Sequence, residues 1–189
     1  MKHNKKDMII LVGKSASGKT EIAKRLRSLY GIVKAVTHTT RPMRKGEKNG
    51  VDYHFVTKEE FLRLAEQGAF VETTEYNGNY YGCSKKEIAE GKCVVVDPSG
   101  LRAFKALGDK RIVSFALLAN EETRRKRMES RGDERESILR RIENDEATFS
   151  NIEGETDFAI ATDDKDIDEL AKSVKEDYEA ELRKRGLRH

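Results

Sequence analysis

Five consecutive apolar residues, Met8-Ile9-Ile10-Leu11-Val12, run directly into Gly13-Lys14-Ser15-Ala16-Ser17-Gly18-Lys19-Thr20. The apolar run is that of a strand buried on both faces. The octapeptide fits G-x-x-x-x-G-K-[ST], a loop whose backbone N–H groups turn inward around phosphate oxygens at the positive end of the following helix. Ile22, Leu26 and Leu29 then recur at i, i+4 and i+7 and predict the buried face of that helix. This order of strand, phosphate loop and helix predicts a nucleoside triphosphate site made by Gly13, Ser15, Ala16, Ser17, Gly18, Lys19 and Thr20. Lys19 is placed to reach the β- and γ-phosphates, and the Thr20 hydroxyl to hold Mg²⁺.

Further short apolar runs at 93–97, 112–118 and 157–161 read as core strands, and 166–185 as a closing helix. Ile167, Leu170, Ala171, Val174 and Tyr178 fall on one face of that helix. Alternating strands and helices argue for an α/β fold with a parallel sheet. Asp97 ends the strand Cys93–Asp97, where a carboxylate can hold Mg²⁺ through water or cap the Pro98-Ser99-Gly100 turn. With 37 basic and 34 acidic residues, the charge is too balanced to suggest nucleic-acid binding. No apolar run approaches the roughly 20 residues that span a bilayer, so no membrane partner and a cytoplasmic location are expected. Cys83 and Cys93 are the only cysteines and form no zinc pattern.

Two stretches interrupt the alternation. Residues 37–83 are rich in Thr, Tyr and Gly and hold two Asn-Gly pairs, 49–50 and 77–78, which favour tight turns. They read as a small, partly antiparallel β insertion. Within it, Arg41 and Arg44 can fork onto a dianionic phosphate, and Tyr53 and Tyr81 can add hydroxyl donors. About half of residues 119–151 are charged, and the segment reads as helical, exposed and mobile. Arg127 and Arg131, at i and i+4, can face one cleft, whereas Arg124, Arg125 and Arg140 read as a salt-bridged solvent face.

The run from Thr40 to Phe55 resembles the guanylate kinase motif T-R-x-x-R-x-G-E-x-x-G-x-D-Y-x-F. The similarity continues through Phe70-Val71-Glu72, Asn79-Tyr80-Tyr81-Gly82 and the arginine-rich segment, over almost the whole chain. The resemblance implies a three-layer P-loop NTPase core with a parallel five-stranded sheet, formed by 1–36, 84–118 and 152–189. It adds a β-rich GMP-binding insertion at 37–83 and a helical lid at 119–151. It implies ATP-dependent phosphorylation of GMP, and of dGMP, with Mg²⁺, by a monomer or homodimer. The GMP contacts it implies are Thr37, Arg41, Arg44, Tyr53, Glu72, Tyr81 and Cys83. On the ATP side it adds Arg127 and Arg131 to the loop, and its catalytic set is Lys19, Arg44, Arg131 and Arg141.

The chain departs from the pattern at five places. The family usually has Ser at Thr37 and Ser or Thr at Cys83. It often has Asp at Val95 and Gln at Ser99, and commonly Asn at Thr162. Rival readings are a kinase of another mononucleotide or sugar phosphate, a non-catalytic guanylate-kinase-like interaction module, and a GTPase switch. The intact Lys19, Thr20 and lid arginines oppose the module. The lack of an [NT]-K-x-D motif after a core strand opposes the switch.

Overall fold

The computed structural model describes residues 8–187 apart from 44, 45, 77 and 90. In chain order, β1 (Met8–Val12) and α1 (Lys19–Tyr30) flank the phosphate loop. Next come β2 (Val33–Lys34), β3 (His38–Thr39), β4 (His54–Phe55), α2 (Lys58–Glu66), β5 (Phe70–Tyr76) and β6 (Asn79–Ser84). The chain continues through β7 (Lys92–Val96), α3 (Pro98–Ala106), β8 (Ile112–Leu118), α4 (Glu121–Ser130) and α5 (Arg135–Thr148). It ends with α6 (Ile152–Glu155), β9 (Phe158–Ala161) and α7 (Ile167–Lys184).

The main sheet has the order β2-β7-β1-β8-β9, with every pairing parallel. β1 is its central strand, and all five of its residues are buried. Its alternate side chains serve two cores. Ile9 and Leu11 pack with Ile22 and Leu26 of α1 and Leu170, Val174 and Tyr178 of α7. Met8, Ile10 and Val12 pack on the other side with Leu101 and Phe104 of α3. Three layers result, and the continuous apolar run is the sequence trace of a strand covered on both faces. Val12 pairs with Val96 and Ala116, so the phosphate loop and Asp97 leave neighbouring strands at the same end of the sheet. Open parallel sheets bind ligands at this carboxyl edge.

Leu29 corrects the expectation for α1, because it is exposed rather than buried. The helix stops at Gly31, which adopts a φ of 69° and donates to Arg27. Ile32 N–H then reaches back to Leu26, and its side chain takes the core position. A left-handed glycine stop with an apolar residue after it produces this contact.

The insertion forms a second sheet, β4-β3-β6-β5, mixed in direction as expected. It also holds α2, whose buried Phe61 stacks on Phe70 and Tyr80, and which the sequence reading passed over. Tyr76 pairs with Asn79, and Gly78 before it takes a left-handed φ of 73°; Asn77 of the second Asn-Gly pair lies outside the described residues. The first pair does not link two strands. Asn49 instead bridges to Tyr53 around a short turn.

The arginine-rich segment is helical, but it is not simply a solvent face. Met128, Ile138 and Ile142 form a buried kernel that packs on Ala16 of the phosphate loop. Arg124 is 1% exposed, contrary to its reading as a surface charge. Arg125 pairs with Glu121 on the exposed side, and Arg140 is exposed. No helix among the described residues is long and apolar enough to cross a membrane.

Candidate active site

Lys19 ties the phosphate loop to itself. Lys19 Nζ donates to the carbonyls of Gly13 (2.5 Å) and Lys14 (2.8 Å). Burial brings its pKa down to about 8, an effect that the nearby Asp145 carboxylate opposes. Gly13 has no room for a side chain, since a Cβ there would lie 2.4 Å from the Leu117 carbonyl. Gly18 takes a φ of 98° at the start of α1, and Ala16 holds a φ of 60°, a cost that non-glycine residues rarely bear.

One cavity, on the side where the sequence places the triphosphate donor, opens between this loop and α4. Ala16, Ser17, Gly18, Lys19, Thr20, Arg127, Arg131 and Thr162 line it. Arg127 donates to Ala16 O (3.1 Å) and to Thr162 O (2.6 Å), and the Thr162 hydroxyl donates to Ser17 O (3.0 Å). The threonine that departs from the family pattern is therefore buried and braces the loop. Arg131 is the exposed arginine at the end of α4, 3.7 Å from Asp133.

A second cavity, about 420 Å³, lies between the loop, the insertion and α5. Gly13, Ser15, Lys19, Thr37, Tyr53, Glu72, Tyr81, Asp97 and Arg141 all line it. Lys19 thus faces both cavities. Glu72 accepts the Cys83 N–H at 3.0 Å across the β5–β6 hairpin. Burial, reinforced by Asp97, pushes the Glu72 carboxyl up to about 7. The Tyr53 and Tyr81 rings sit edge to face, with centroids 6.3 Å apart.

Two of the expected acceptor residues, Cys83 and Arg41, stand differently. The Cys83 thiol turns into the core beside Met8 and Ile10, where burial raises it to about 12, so only its backbone N–H serves Glu72. Arg41 does not line the cavity; its guanidinium is held by Glu47 (2.7 Å) and lies over the Tyr53 and Phe55 rings. Arg44 lies outside the described residues.

Of the two readings of Asp97, the cap is the one its hydrogen bonds show. It caps α3 through Gly100 N–H (2.8 Å), and it faces the acceptor cavity. Thr20 is exposed at the first turn of α1 and lines the donor side. These hard oxygen donors suit Mg²⁺, which keeps several waters and binds through one or two protein oxygens plus phosphate. No group of three or more His, Cys, Asp or Glu that could hold a metal alone occurs among the described residues.

Sequence reasoning missed Thr74, Asn144, Asp145, Thr148 and Phe149 on the acceptor wall. The helical repeat of α5 could have found four of them, because 141, 144, 145, 148 and 149 share one face.

The guanylate kinase family profile matches residues 5–181. A guanylate kinase of Anaplasma phagocytophilum is 34% identical over 187 residues, covering 94% of this chain and 88% of its own. One from Schizosaccharomyces pombe is 38% identical over 167 residues, covering 82% of this chain and 83% of its own. The crystal structure of guanylate kinase from Anaplasma phagocytophilum superposes with a TM-score of 0.70 at 33% identity, over 92% of this chain and 85% of that one.

Proposed function

Since the chain belongs to the guanylate kinase family, we propose that it works as a two-cleft enzyme phosphorylating GMP with ATP. The observation that carries this reading is the place of Lys19, on the wall of both the donor and the acceptor cavities. ATP fits the donor side, with its phosphates on the loop N–H groups and Lys19. GMP fits the acceptor side, with guanine at Glu72 and Thr37 and its phosphate toward Tyr53 and Tyr81; Arg41 joins them by turning from Glu47, and Arg44 completes the proposed set.

An acceptor phosphate oxygen attacks the γ-phosphorus of ATP. The bond to the β,γ-bridging oxygen breaks, and ADP leaves with that electron pair. No general base is required, because the nucleophile is already anionic. Catalysis comes from alignment and charge neutralisation. Lys19, Arg131 and Arg141 supply positive charge where the transferring group spreads its own, and Arg127 braces the loop beneath it. Thr20 and Asp97 would hold Mg²⁺, which neutralises phosphate charge when bound.

The division into core (1–36, 84–118, 152–189), acceptor insertion (37–83) and lid (119–151) suits closure of two such clefts. dGMP also fits as acceptor, since recognition through Glu72 reads the base. A transfer assay with γ-labelled ATP and GMP tests this reading. Label must appear in the β-phosphate of GDP, and label released only as inorganic phosphate contradicts it.

A further inference from the structure

One buried polar cluster takes no part in that scheme. Arg124 of α4 donates to Asp145 Oδ2 at 2.9 Å and to Glu146 Oε1 at 3.0 Å. Asp145 of α5 in turn accepts the backbone N–H of Ser15 at 2.7 Å and its hydroxyl at 3.3 Å. Glu146 pairs with Lys14 at 2.6 Å. Arg124 is 1% exposed and Asp145 8% exposed. Two lid helices and the second and third residues of the phosphate loop are thus joined through one ion-pair network.

Such a cluster is a poor source of stability. Taking two charges from water costs about as much as their attraction returns, so an apolar replacement of both is often neutral or favourable. What it supplies is a defined seat, because the planar guanidinium and the loop N–H fix the carboxylate from two directions. Arg141 lies one helical turn before Asp145 on the same face of α5, and both line the acceptor cavity. Wherever Asp145 is fixed on the loop, Arg141 is fixed relative to Lys19.

We propose that Asp145, held by Arg124, is a positioning residue that seats α5 on the phosphate loop and so sets Arg141 over the acceptor cavity. The inference rests on the phosphotransfer reading above. It makes the network a determinant of turnover rather than of folding or of GMP affinity.

Asp145→Ala alone leaves a buried cation and is the variant at risk of misfolding, so the test removes both partners. Three proteins are compared with the unsubstituted chain: Arg124→Met with Asp145→Ala, Arg141→Met, and the triple variant. The double variant is expected to melt within a few degrees of the unsubstituted protein, and its kcat to fall about tenfold or more with KM for GMP within about twofold. The triple variant should be no slower than Arg141→Met, since positioning acts through Arg141. A double variant that keeps kcat within about twofold overturns the inference, as does a triple variant about tenfold slower than Arg141→Met. An unsubstituted chain that fails to phosphorylate GMP overturns the phosphotransfer reading and this inference with it.

Discussion

Thr74 Oγ1 lies 3.0 Å from Asp97 Oδ2, a bond from the middle of the β5 strand to the end of the central sheet. Ser99 Oγ is also 3.0 Å from Thr74 Oγ1 and donates to Asp97 Oδ1. The clasp joins the insertion to the core where the two proposed substrates meet. It also explains how a chain with Ser at position 99 occupies this corner.

Asp97 therefore has two separable roles, and two substitutions divide them. Asp97→Ala removes the α3 cap and should cost about 1 kcal/mol of stability. Asp97→Asn retains an oxygen acceptor for Gly100 N–H but loses the charge that would attract Mg²⁺. Its melting temperature should stay near that of the unsubstituted protein, while the Mg²⁺ needed for half-maximal rate rises several-fold. Chemical denaturation and a Mg²⁺ titration of initial rate measure the two effects.

Glu72 carries a pH dependence of definite sign. Its carboxyl is raised from 4.5 to about 7, chiefly by burial. The stability it contributes is fully present below pH 4.5 and is lost as pH rises through 7, because the folded state then holds an ion it disfavours. Glu72→Gln should gain stability relative to the unsubstituted protein, by less than about 1 kcal/mol at about pH 5 and by roughly 3 kcal/mol at about pH 8. Guanine recognition runs the other way, since only the carboxylate accepts two donors. KM for GMP should fall as pH rises through about 7, and that inflection should vanish in Glu72→Gln with a KM at least about tenfold higher.

Burial disfavours the Lys19 charge and brings its pKa down to about 8. Bound phosphates restore that charge, so ATP binding at about pH 9 should take up a proton that it does not take up at about pH 6. Calorimetry in two buffers of different ionisation enthalpy reads this directly. Lys19→Met should show no such uptake and should lose nearly all turnover while remaining folded.

The parts legible in the sequence were those carried by local pattern. The apolar runs at β1, β7, β8 and β9 and the glycine spacing of the loop report two-sided burial and tight turns, and each is complete within about ten residues. β2, β3 and β4 have only two residues each, too few for any period to register. Arg124 was unreadable for a different reason. Its neutralising partner is Asp145, 21 positions away on another helix, so the charge looks solvated until α4 and α5 are packed. The resemblance places the Cys83 side chain at the base, but strand alternation in β6 turns its thiol to the core and leaves the backbone at Glu72. Thr162 looked like a loss on the donor side, and its bonds to Ser17 and Arg127 became visible only with the loop folded.

The most direct test of the central claim is initial rate with ATP–Mg²⁺ against GMP, AMP, CMP and UMP in one coupled assay. A cleft that reads guanine through Glu72 predicts kcat/KM for GMP at least about a hundredfold above each of the other three, since the wrong base leaves a buried carboxylate unpaired. Equal rates with all four acceptors would contradict it.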